Sequence, residues 1–134
     1  MKFEDITVGM EESLIRTIDE LMISEFSKIS GDTNPIHTKN YQSASHKFKA
    51  QVAHGLISAS FFSAIFGTKL PGHGCLYVSQ SLNFIRPVYV NDTVTAIVIV
   101  TNIDQLKRRV FFDTFCKVDG KKVIAGSAEL YMPK

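Results

Sequence analysis

The run from Val52 to Leu70 constrains the fold of this chain more than any other segment. Taken at helical spacing it has no polar face, and the polar residues between its apolar ones are all serines. The apolar residues are Leu56, Ile57, Ala59, Phe61, Phe62, Ala64, Ile65 and Phe66. A helix that is apolar all round is a buried helix, and the apolar part of this one is shorter than a membrane span. We therefore predict a helix that a protein core surrounds.

The chain after this helix has a pattern typical of β structure as far as its C-terminus. A loop at Pro71–Gly74 is followed by strand-like segments rich in Val, Ile, Thr and aromatic residues. These segments are Leu76–Phe84, Thr93–Thr101, Val110–Val118 and Val123–Tyr131. Asn91-Asp92 and Asp119-Gly120 mark two reversals, and the second is a strong hairpin signal. One buried helix and a long antiparallel meander predict an α+β fold in which the sheet wraps around that helix.

A strand and a second helix are predicted before the buried run. Ser13–Thr17 has the pattern of a short first strand. Apolar residues then recur at helical spacing from Leu21 to Ile29, after Asp19, which is a suitable N-cap. Gly31 is expected to end this helix, because glycine adopts the left-handed conformation that follows many helices. Residues 41–50 are polar and mixed, and they predict a short helix and a surface segment.

Length and charge predict a single domain, residues 1–134, with no nucleic-acid or membrane-surface partner. A chain of 134 residues buries one sizeable core, and no repeat or linker divides it. The chain contains fifteen Lys and Arg residues and thirteen Asp and Glu residues. The resulting net charge of +2 is too small to indicate a polyanionic partner. The basic run Lys107–Arg109 lies between two strand-like segments and is interpreted as a solvated hairpin turn.

The cysteines and the N-terminus bear on the compartment. Cys75 and Cys116 are far apart, match no metal-binding spacing and are interpreted as small buried thiols rather than as a disulfide. No N-terminal segment combines a basic start, an apolar run and a cleavage site. We therefore expect a cytoplasmic protein, with an organelle form whose transit peptide has been removed as the alternative.

The segment Phe26–His37 carries the residues that point to chemistry. It places an acid, Asp32, and a base, His37, on a short connection that Gly31 and Asn34-Pro35 stiffen. Proline fixes its own φ and restricts the residue before it. A carboxylate and an imidazole within reach of one water are sufficient for proton-transfer catalysis. An Asp and a His alone are a weak signal, because such residues more often cap and bridge turns.

Several motifs together give the chain a resemblance to a known family. The motifs are Phe26–His37 with Ser43 beyond it, His54–Ser63, Leu70–Gly74, Gln80–Phe84 and Arg86–Asp92. Along nearly the whole chain they resemble the MaoC-like (R)-specific enoyl-CoA hydratases, and most of all the short PhaJ-type hydratases that supply polyhydroxyalkanoate synthesis. The resemblance implies a single hotdog fold, in which a curled antiparallel sheet wraps around a long central helix.

The resemblance also implies roles for five residues. Asp32 and His37 match the catalytic aspartate and histidine of the family. Ser63 matches a serine on the central helix that supports the aspartate. The backbone N–H of Gly55 is implied to point at the thioester oxygen, and Asn34 matches a loop asparagine that supports the conformation of the segment.

The implied reaction is the reversible syn addition of water to trans-2-enoyl-CoA, which yields (R)-3-hydroxyacyl-CoA. Such a hydro-lyase needs no cofactor and no metal. The alternatives are a dehydratase acting on 3-hydroxyacyl groups of acyl carrier protein, a hotdog thioesterase and a non-catalytic subunit that binds acyl thioesters. The implied partners are an acyl-CoA substrate and a second copy of the chain, in a homodimer or a dimer of dimers, and no membrane insertion is expected.

Other residues of chemically useful types are interpreted as structural. His54 is taken as a residue that starts the central helix rather than as a second base. The histidines expected on the surface are His46 and His73. The aromatic residues expected in the core, with the alternative of lining an acyl tunnel, are Phe61, Phe62 and Phe66. The basic residues interpreted as solvated charge, rather than as contacts of coenzyme A phosphates, are Arg86, Lys107 and Arg108.

Overall fold

The computed structural model describes residues 1–134. The helices and the first strand are β1 (Glu11–Thr17), α1 (Glu20–Ser30), α2 (Tyr41–Ala44) and α3 (Gly55–Thr68). The remaining strands are β2 (Leu76–Gln80), β3 (Asn83–Phe84), β4 (Thr93–Asp104), β5 (Arg109–Val118) and β6 (Lys121–Tyr131). One-turn 3-10 helices occur at Phe3–Asp5 and Pro35–His37. None of the helices has both the length and the hydropathy that a membrane crossing demands.

The strands form one antiparallel sheet in the order β1-β4-β5-β6-β2, and β3 also pairs with β6. The turn between β5 and β6 has positive φ at both Asp119 and Gly120, as a two-residue hairpin turn requires. Side chains alternate between the two faces of a strand, and on β4 the buried ones are Val94, Ala96, Val98 and Val100.

Helix α3 packs on this buried face of the sheet. Phe62, Ile65 and Phe66 are almost completely buried, in one core cluster with Val98 and other inward residues of the strands. The predicted α+β architecture, an antiparallel sheet wrapped around a central helix, is therefore confirmed. The prediction of core positions for the aromatic residues of α3 is confirmed as well.

The helix starts next to His54, as predicted, and differs from its prediction on one of its faces. It begins at Gly55 because Val52 and Ala53 donate backbone N–H groups to Ile36 O and Val88 O, and these bonds hold them outside the helix. The exposed residues along α3 are Leu56, Ser60, Ser63, Ala64 and Gly67, which lie on one face, and the last residue, Thr68. The prediction that the protein's own core surrounds the helix is wrong for this face, because no other part of the chain covers it.

The segment predicted as one strand at Leu76–Phe84 is divided into β2 and β3, both of which pair with β6. At the break, Ser81 N–H donates to Ser127 O at 2.8 Å. The neighbouring Gly126 is required here, because a Cβ at that position would lie 1.9 Å from Ser81 O. Because Ser81 lies so close to Gly126, the chain continues from there into β3, whose last residue, Phe84, lines the cavity described below.

Arg108 is not a solvated charge, and that prediction is wrong. Its Nε donates to Met132 O at 2.8 Å, and its Nη1 lies 3.1 Å from Glu4 Oε1. The guanidinium also lies over the Phe3 ring, 4.6 Å from its centroid. The Arg108 side chain is only 19% exposed, because it lies between the N-terminal 3-10 helix and the end of the chain and contacts both.

The remaining surface and thiol predictions agree with the structure. His46 and His73 are exposed. Both cysteines are free thiols, Cys116 buried and Cys75 half-buried. Burial raises the pKa of the Cys116 thiol to about 12, so this side chain is inert core.

Candidate active site

The loop that carries Asp32 begins where α1 ends. Asp19 caps the start of α1, since its Oδ1 accepts the Met22 N–H at 2.9 Å. Gly31 has a φ of 80° and donates its N–H to Ser27 O, which terminates the helix. Asp32 is the next residue, so the position of the helix end determines where the carboxylate lies.

Two side-chain bonds hold this loop in shape. Asp32 Oδ1 accepts the Asn34 N–H at 3.1 Å, and Asn34 Oδ1 accepts the Ile36 N–H at 3.3 Å. Pro35 is the first residue of the following 3-10 helix, a position at which no N–H is needed. These bonds occupy Oδ1 of Asp32 and leave its Oδ2 free for other contacts.

His37 is buried, with 8% of its surface exposed, and its hydrogen bond assigns its tautomer. Its Nδ1 lies 2.7 Å from Val52 O. A carbonyl oxygen only accepts, so Nδ1 carries the hydrogen and Nε2 presents a lone pair. Burial lowers the pKa of His37 below its ordinary value of 6.5, and proximity to His54 acts in the same direction. The bond to Val52 O and the charge of Asp32 raise the pKa, and burial outweighs both.

The two side chains face each other as a pair of acceptors. His37 Nε2 lies 3.7 Å from Asp32 Oδ2. This separation is too long for a direct hydrogen bond, and with His37 neutral neither atom carries a hydrogen. One water can donate one hydrogen to each atom and keep its oxygen lone pairs for a third group. We refer to these two atoms, Asp32 Oδ2 and His37 Nε2, as the water clamp.

The water clamp opens into a cavity with a volume of about 580 Å³. Its lining is mostly apolar and includes Leu56, Phe84, Ile85 and Val88. Two cations, Lys47 and Arg86, also line it, and both are exposed. None of Phe61, Phe62 and Phe66 contributes to this lining.

Gly55 lines the same cavity as Asp32 and His37. It is the first residue of α3, and Ile57 makes the first bond of the helix, from its N–H to His54 O at 3.0 Å. The N–H groups of Gly55 and Leu56 precede that bond and have no acceptor within the helix. They also lie at the positive end of the helix dipole. This end of α3 therefore offers backbone donors to an anionic oxygen in the cavity.

The structure does not bring Ser63 to Asp32 within one chain. Ser63 lies two helical turns beyond Gly55, about 12 Å along α3, on the exposed face of the helix. It lines a separate cavity of about 400 Å³ together with Leu56 and Tyr77. Asp32 Oδ1 instead has the Asn34 N–H as its partner. Support of Asp32 by Ser63 stays a prediction from the resemblance, and it requires a contact beyond this one chain.

The sequence of the chain also matches a family model, described as the MaoC like domain, over residues 5–124. The chain belongs to the MaoC-like family. The predicted membership is confirmed, and so is the hotdog fold that it implied, since the sheet and central helix superpose on solved structures of the family.

Three relatives of this MaoC-like chain are informative. An (R)-specific enoyl-CoA hydratase of Rhodospirillum rubrum is 48% identical, over 98% of this chain and 91% of that protein. The solved (R)-hydratase from A. caviae involved in PHA biosynthesis superposes with a TM-score of 0.92 at 33% identity, over 97% of this chain and 99% of that one. A mitochondrial 3-hydroxyacyl-(acyl-carrier-protein) dehydratase of Solanum lycopersicum is 32% identical, over 96% of this chain and 78% of that protein.

One residue of the site has a larger part in the structure than the sequence indicated. His54 starts α3, as predicted, and its ring is also stacked on the His37 ring, with 3.7 Å between ring centroids. Ligand atoms of Asp32, His37 and His54 lie within 4.8 Å of one another. They do not form a convergent set of metal ligands, because His54 Nε2 points at Asp32 O at 3.0 Å and must donate to it.

Gly55→Ala tests the cavity end of α3. We expect kcat/KM to fall about 10- to 100-fold, less than the roughly 10²–10³ typical of deleting an oxyanion donor, because the N–H remains and only its approach is obstructed. The added Cβ would lie 2.4 Å from Phe84 Cε1, so the exposed Phe84 ring must also move. Steady-state kinetics of Phe84→Ala and of the double variant separate the two effects. If the methyl obstructs the N–H, the double variant should be as slow as Gly55→Ala, because removal of the Phe84 ring does not uncover the N–H. A Gly55→Ala rate within twofold of wild type would contradict the predicted role of the Gly55 N–H.

Proposed function

We propose that this chain is a hydro-lyase that adds water to trans-2-enoyl-CoA and forms (R)-3-hydroxyacyl-CoA reversibly, without a cofactor. The observation that carries the proposal is the water clamp, two acceptors 3.7 Å apart at an apolar cavity. The names of the relatives from Rhodospirillum rubrum and A. caviae support the same reaction and its stereochemistry. We also propose that residues 1–134 act as a single domain, which one continuous core cluster supports.

The water clamp can carry out the addition on one face of the alkene. A water donates one hydrogen to His37 Nε2 and the other to Asp32 Oδ2, and its oxygen attacks C3. As the C3–O bond forms, the water hydrogen that is donated to Nε2 is transferred to His37 as a proton. The resulting imidazolium then delivers a proton to C2 on the same face. The carboxylate of Asp32 stabilises the imidazolium in between. The water thus supplies the hydroxyl at C3, and His37 returns to its neutral form.

The thioester oxygen becomes negative during this addition, and the start of α3 is suited to stabilise it. As C3 is attacked, electrons move from the double bond into an enolate whose charge lies on the carbonyl oxygen. Preorganised donors directed at such a charge give one of the largest effects in catalysis. The N–H of Gly55, at the positive end of α3 and lining the same cavity, is the proposed donor.

A direct assay tests the proposal. Purified protein should remove the enoyl absorbance of crotonyl-CoA, and chiral analysis of the product should find (R)-3-hydroxybutyryl-CoA. Thiol release is measured in the same samples, because a thioesterase would liberate free coenzyme A faster than it hydrates. Absence of turnover, an (S) product or dominant thiol release would each overturn the proposal, and binding without any product would favour a non-catalytic subunit.

The carrier of the acyl group is proposed to be coenzyme A. Its phosphates can interact with Lys47 and Arg86, the two cations that line the cavity. The relative from Solanum lycopersicum, whose name specifies acyl carrier protein, makes that carrier the second candidate. Rates on coenzyme A and carrier-protein thioesters of equal chain length distinguish the two. A higher kcat/KM on the carrier-protein thioester would reassign the substrate.

A second copy of the chain is proposed to cover the exposed face of α3. The neighbouring strand β2 lies at the edge of the sheet and exposes Leu76, Tyr77 and Val78. Exposed apolar edge strands promote pairing with another chain, so a homodimer, or a dimer of dimers, is proposed. Light scattering at micromolar concentration should give at least twice the mass of the monomer, 15.0 kDa, and a monomeric mass would contradict the proposal. The cytoplasmic location stays a prediction from the sequence.

A further inference from the structure

The ring of His54 lies between two other rings of the site. It is 3% exposed. It stacks nearly parallel on His37, with 3.7 Å between centroids and 22° between planes. The Phe26 ring lies 4.9 Å away and is tilted by 57°. The His54 ring is therefore fixed by packing, and it limits the rotation of the His37 ring that it covers.

The hydrogen bond of His54 reaches the backbone of Asp32, whose side chain carries the other half of the water clamp. His54 Nε2 lies 3.0 Å from the backbone O of Asp32 and 3.2 Å from Ser27 Oγ. Because Asp32 O only accepts, Nε2 carries the hydrogen. Nδ1 then presents a lone pair that is buried and has no partner. His54 lines the cavity, but this nitrogen is buried, so the polar contacts of the ring are with Asp32 O and Ser27 Oγ.

This bond is the one hydrogen bond that ties residues 31–34 to a distant part of the chain. The other bonds of those four residues are local, such as Asn34 N–H to Asp32 Oδ1 and Asp32 N–H to Ser30 Oγ. The Asp32 side chain itself is 50% exposed and gains little from packing. Without His54, the spacing between Asp32 Oδ2 and His37 Nε2 would depend on the loop alone.

We propose that His54 is a positioning residue that sets the geometry of the water clamp, through its Nε2–H on the Asp32 carbonyl and through its ring on His37. It contacts both residues that carry the clamp, Asp32 and His37, and takes no proton in the reaction. The kinetic test of this inference rests on the proposed hydratase function. The tautomers that it assigns to His37 and His54 can be measured without any activity.

Two substitutions separate the two contacts. His54→Phe keeps a flat ring on His37 and removes the donor, whereas His54→Gln keeps a donor of similar reach and removes the ring. We expect kcat per folded enzyme to fall at least tenfold in His54→Phe, with KM within threefold of wild type, and the loss in His54→Gln to be smaller. The matched control is His73→Phe at an exposed histidine, and it should retain wild-type kinetics. Circular dichroism and thermal unfolding give the folded fraction of each variant.

A double-mutant cycle distinguishes positioning from a general structural role. If His54 acts through the clamp, His54→Phe should lower the residual kcat of Asp32→Asn by less than threefold, because that clamp no longer binds water productively. An equal loss in both backgrounds would overturn the proposal. So would kcat within threefold of wild type in both folded His54 variants.

Nitrogen-15 NMR of the wild-type rings tests the geometry independently. We expect His54 to carry its hydrogen on Nε2 and His37 on Nδ1. A hydrogen on Nδ1 of His54 would overturn the proposal even if both His54 variants failed to fold. A wild-type protein with the expected tautomers but no turnover would contradict the hydratase function and would still support the contacts assigned to His54. An active wild type whose His54 variants are unaffected would contradict the positioning role alone.

Discussion

Replacing Asp32 with asparagine is expected to lower kcat by about 10²–10⁴-fold, the range of general acid–base catalysis, because His37 then loses the carboxylate that holds its water and stabilises its imidazolium. The substitution is suited to this site because Oδ1 of Asp32 accepts the Asn34 N–H at 3.1 Å. The amide oxygen of the variant can keep that bond and with it the shape of the loop. The amide nitrogen then takes the place of Oδ2, which faces His37 Nε2 at 3.7 Å. A donor there cannot accept a hydrogen from the water, so the water loses one of its two acceptors.

The expected signature of this variant is a loss in kcat with KM and thermal stability near wild type. Asp32→Ala provides a comparison, because it removes the loop bond as well and should also lower the unfolding temperature. Asp113→Asn makes the same chemical change at an exposed residue of β5 and should leave the kinetics unchanged. An Asp32→Asn enzyme with more than a tenth of wild-type kcat would show that the carboxylate is not needed for the addition.

Much of the fold could be predicted because local signals coincide with the elements. Asp19 and Gly31 mark the two ends of α1 through hydrogen bonds to residues three or four positions away. Asp119-Gly120 forms the turn between β5 and β6. The exposed face of α3 could not be predicted in this way. An apolar residue such as Leu56 has the same identity whether its own chain or a second copy covers it, so hydrophobicity alone does not reveal which surface remains open.

The proximity of the site residues was predictable where they lie in one segment, and unpredictable where it depends on distant contacts. Asp32 and His37 lie five residues apart, and the structure places their side chains face to face. The bond from His54 to Asp32 joins residues 22 positions apart, and the bond from His37 to Val52 O joins residues 15 apart. Such pairings depend on how the loop folds against the start of α3. The ion pair of Arg108 with Glu4, 104 positions away, was missed for the same reason.

His37→Asn is expected to lower kcat by about 10²–10⁴-fold as well, for a different reason. The amide nitrogen of asparagine can occupy the place of Nδ1 and keep the buried bond to Val52 O. The variant has no counterpart of Nε2, so no group takes the proton of the water. His46→Asn, at an exposed position, is the matched control. A His37→Asn enzyme that retains a tenth of wild-type kcat or more would exclude His37 as the base.

The pH dependence of the wild type gives a second measure of the role of His37. Burial lowers the pKa of His37 below 6.5, and only the neutral form accepts a proton from water. We therefore expect the acid limb of kcat/KM, which reports groups of the free enzyme, to have its midpoint below pH 6.5. A midpoint above pH 6.5 would contradict the lowered pKa.

Folding stability should follow the same titration, with a sign that the lowered pKa determines. The unfolded chain, in which this histidine has its ordinary pKa of 6.5, binds the proton more readily than the folded protein. The contribution of His37 to stability is therefore complete above pH 6.5 and is lost as pH falls from 6.5 through the lower pKa of the folded state. Urea unfolding of wild type and His37→Asn at several pH values measures this difference. We expect the free energy of unfolding to fall more steeply below pH 6.5 in the wild type, and equal slopes would show that burial does not hold His37 in its neutral form.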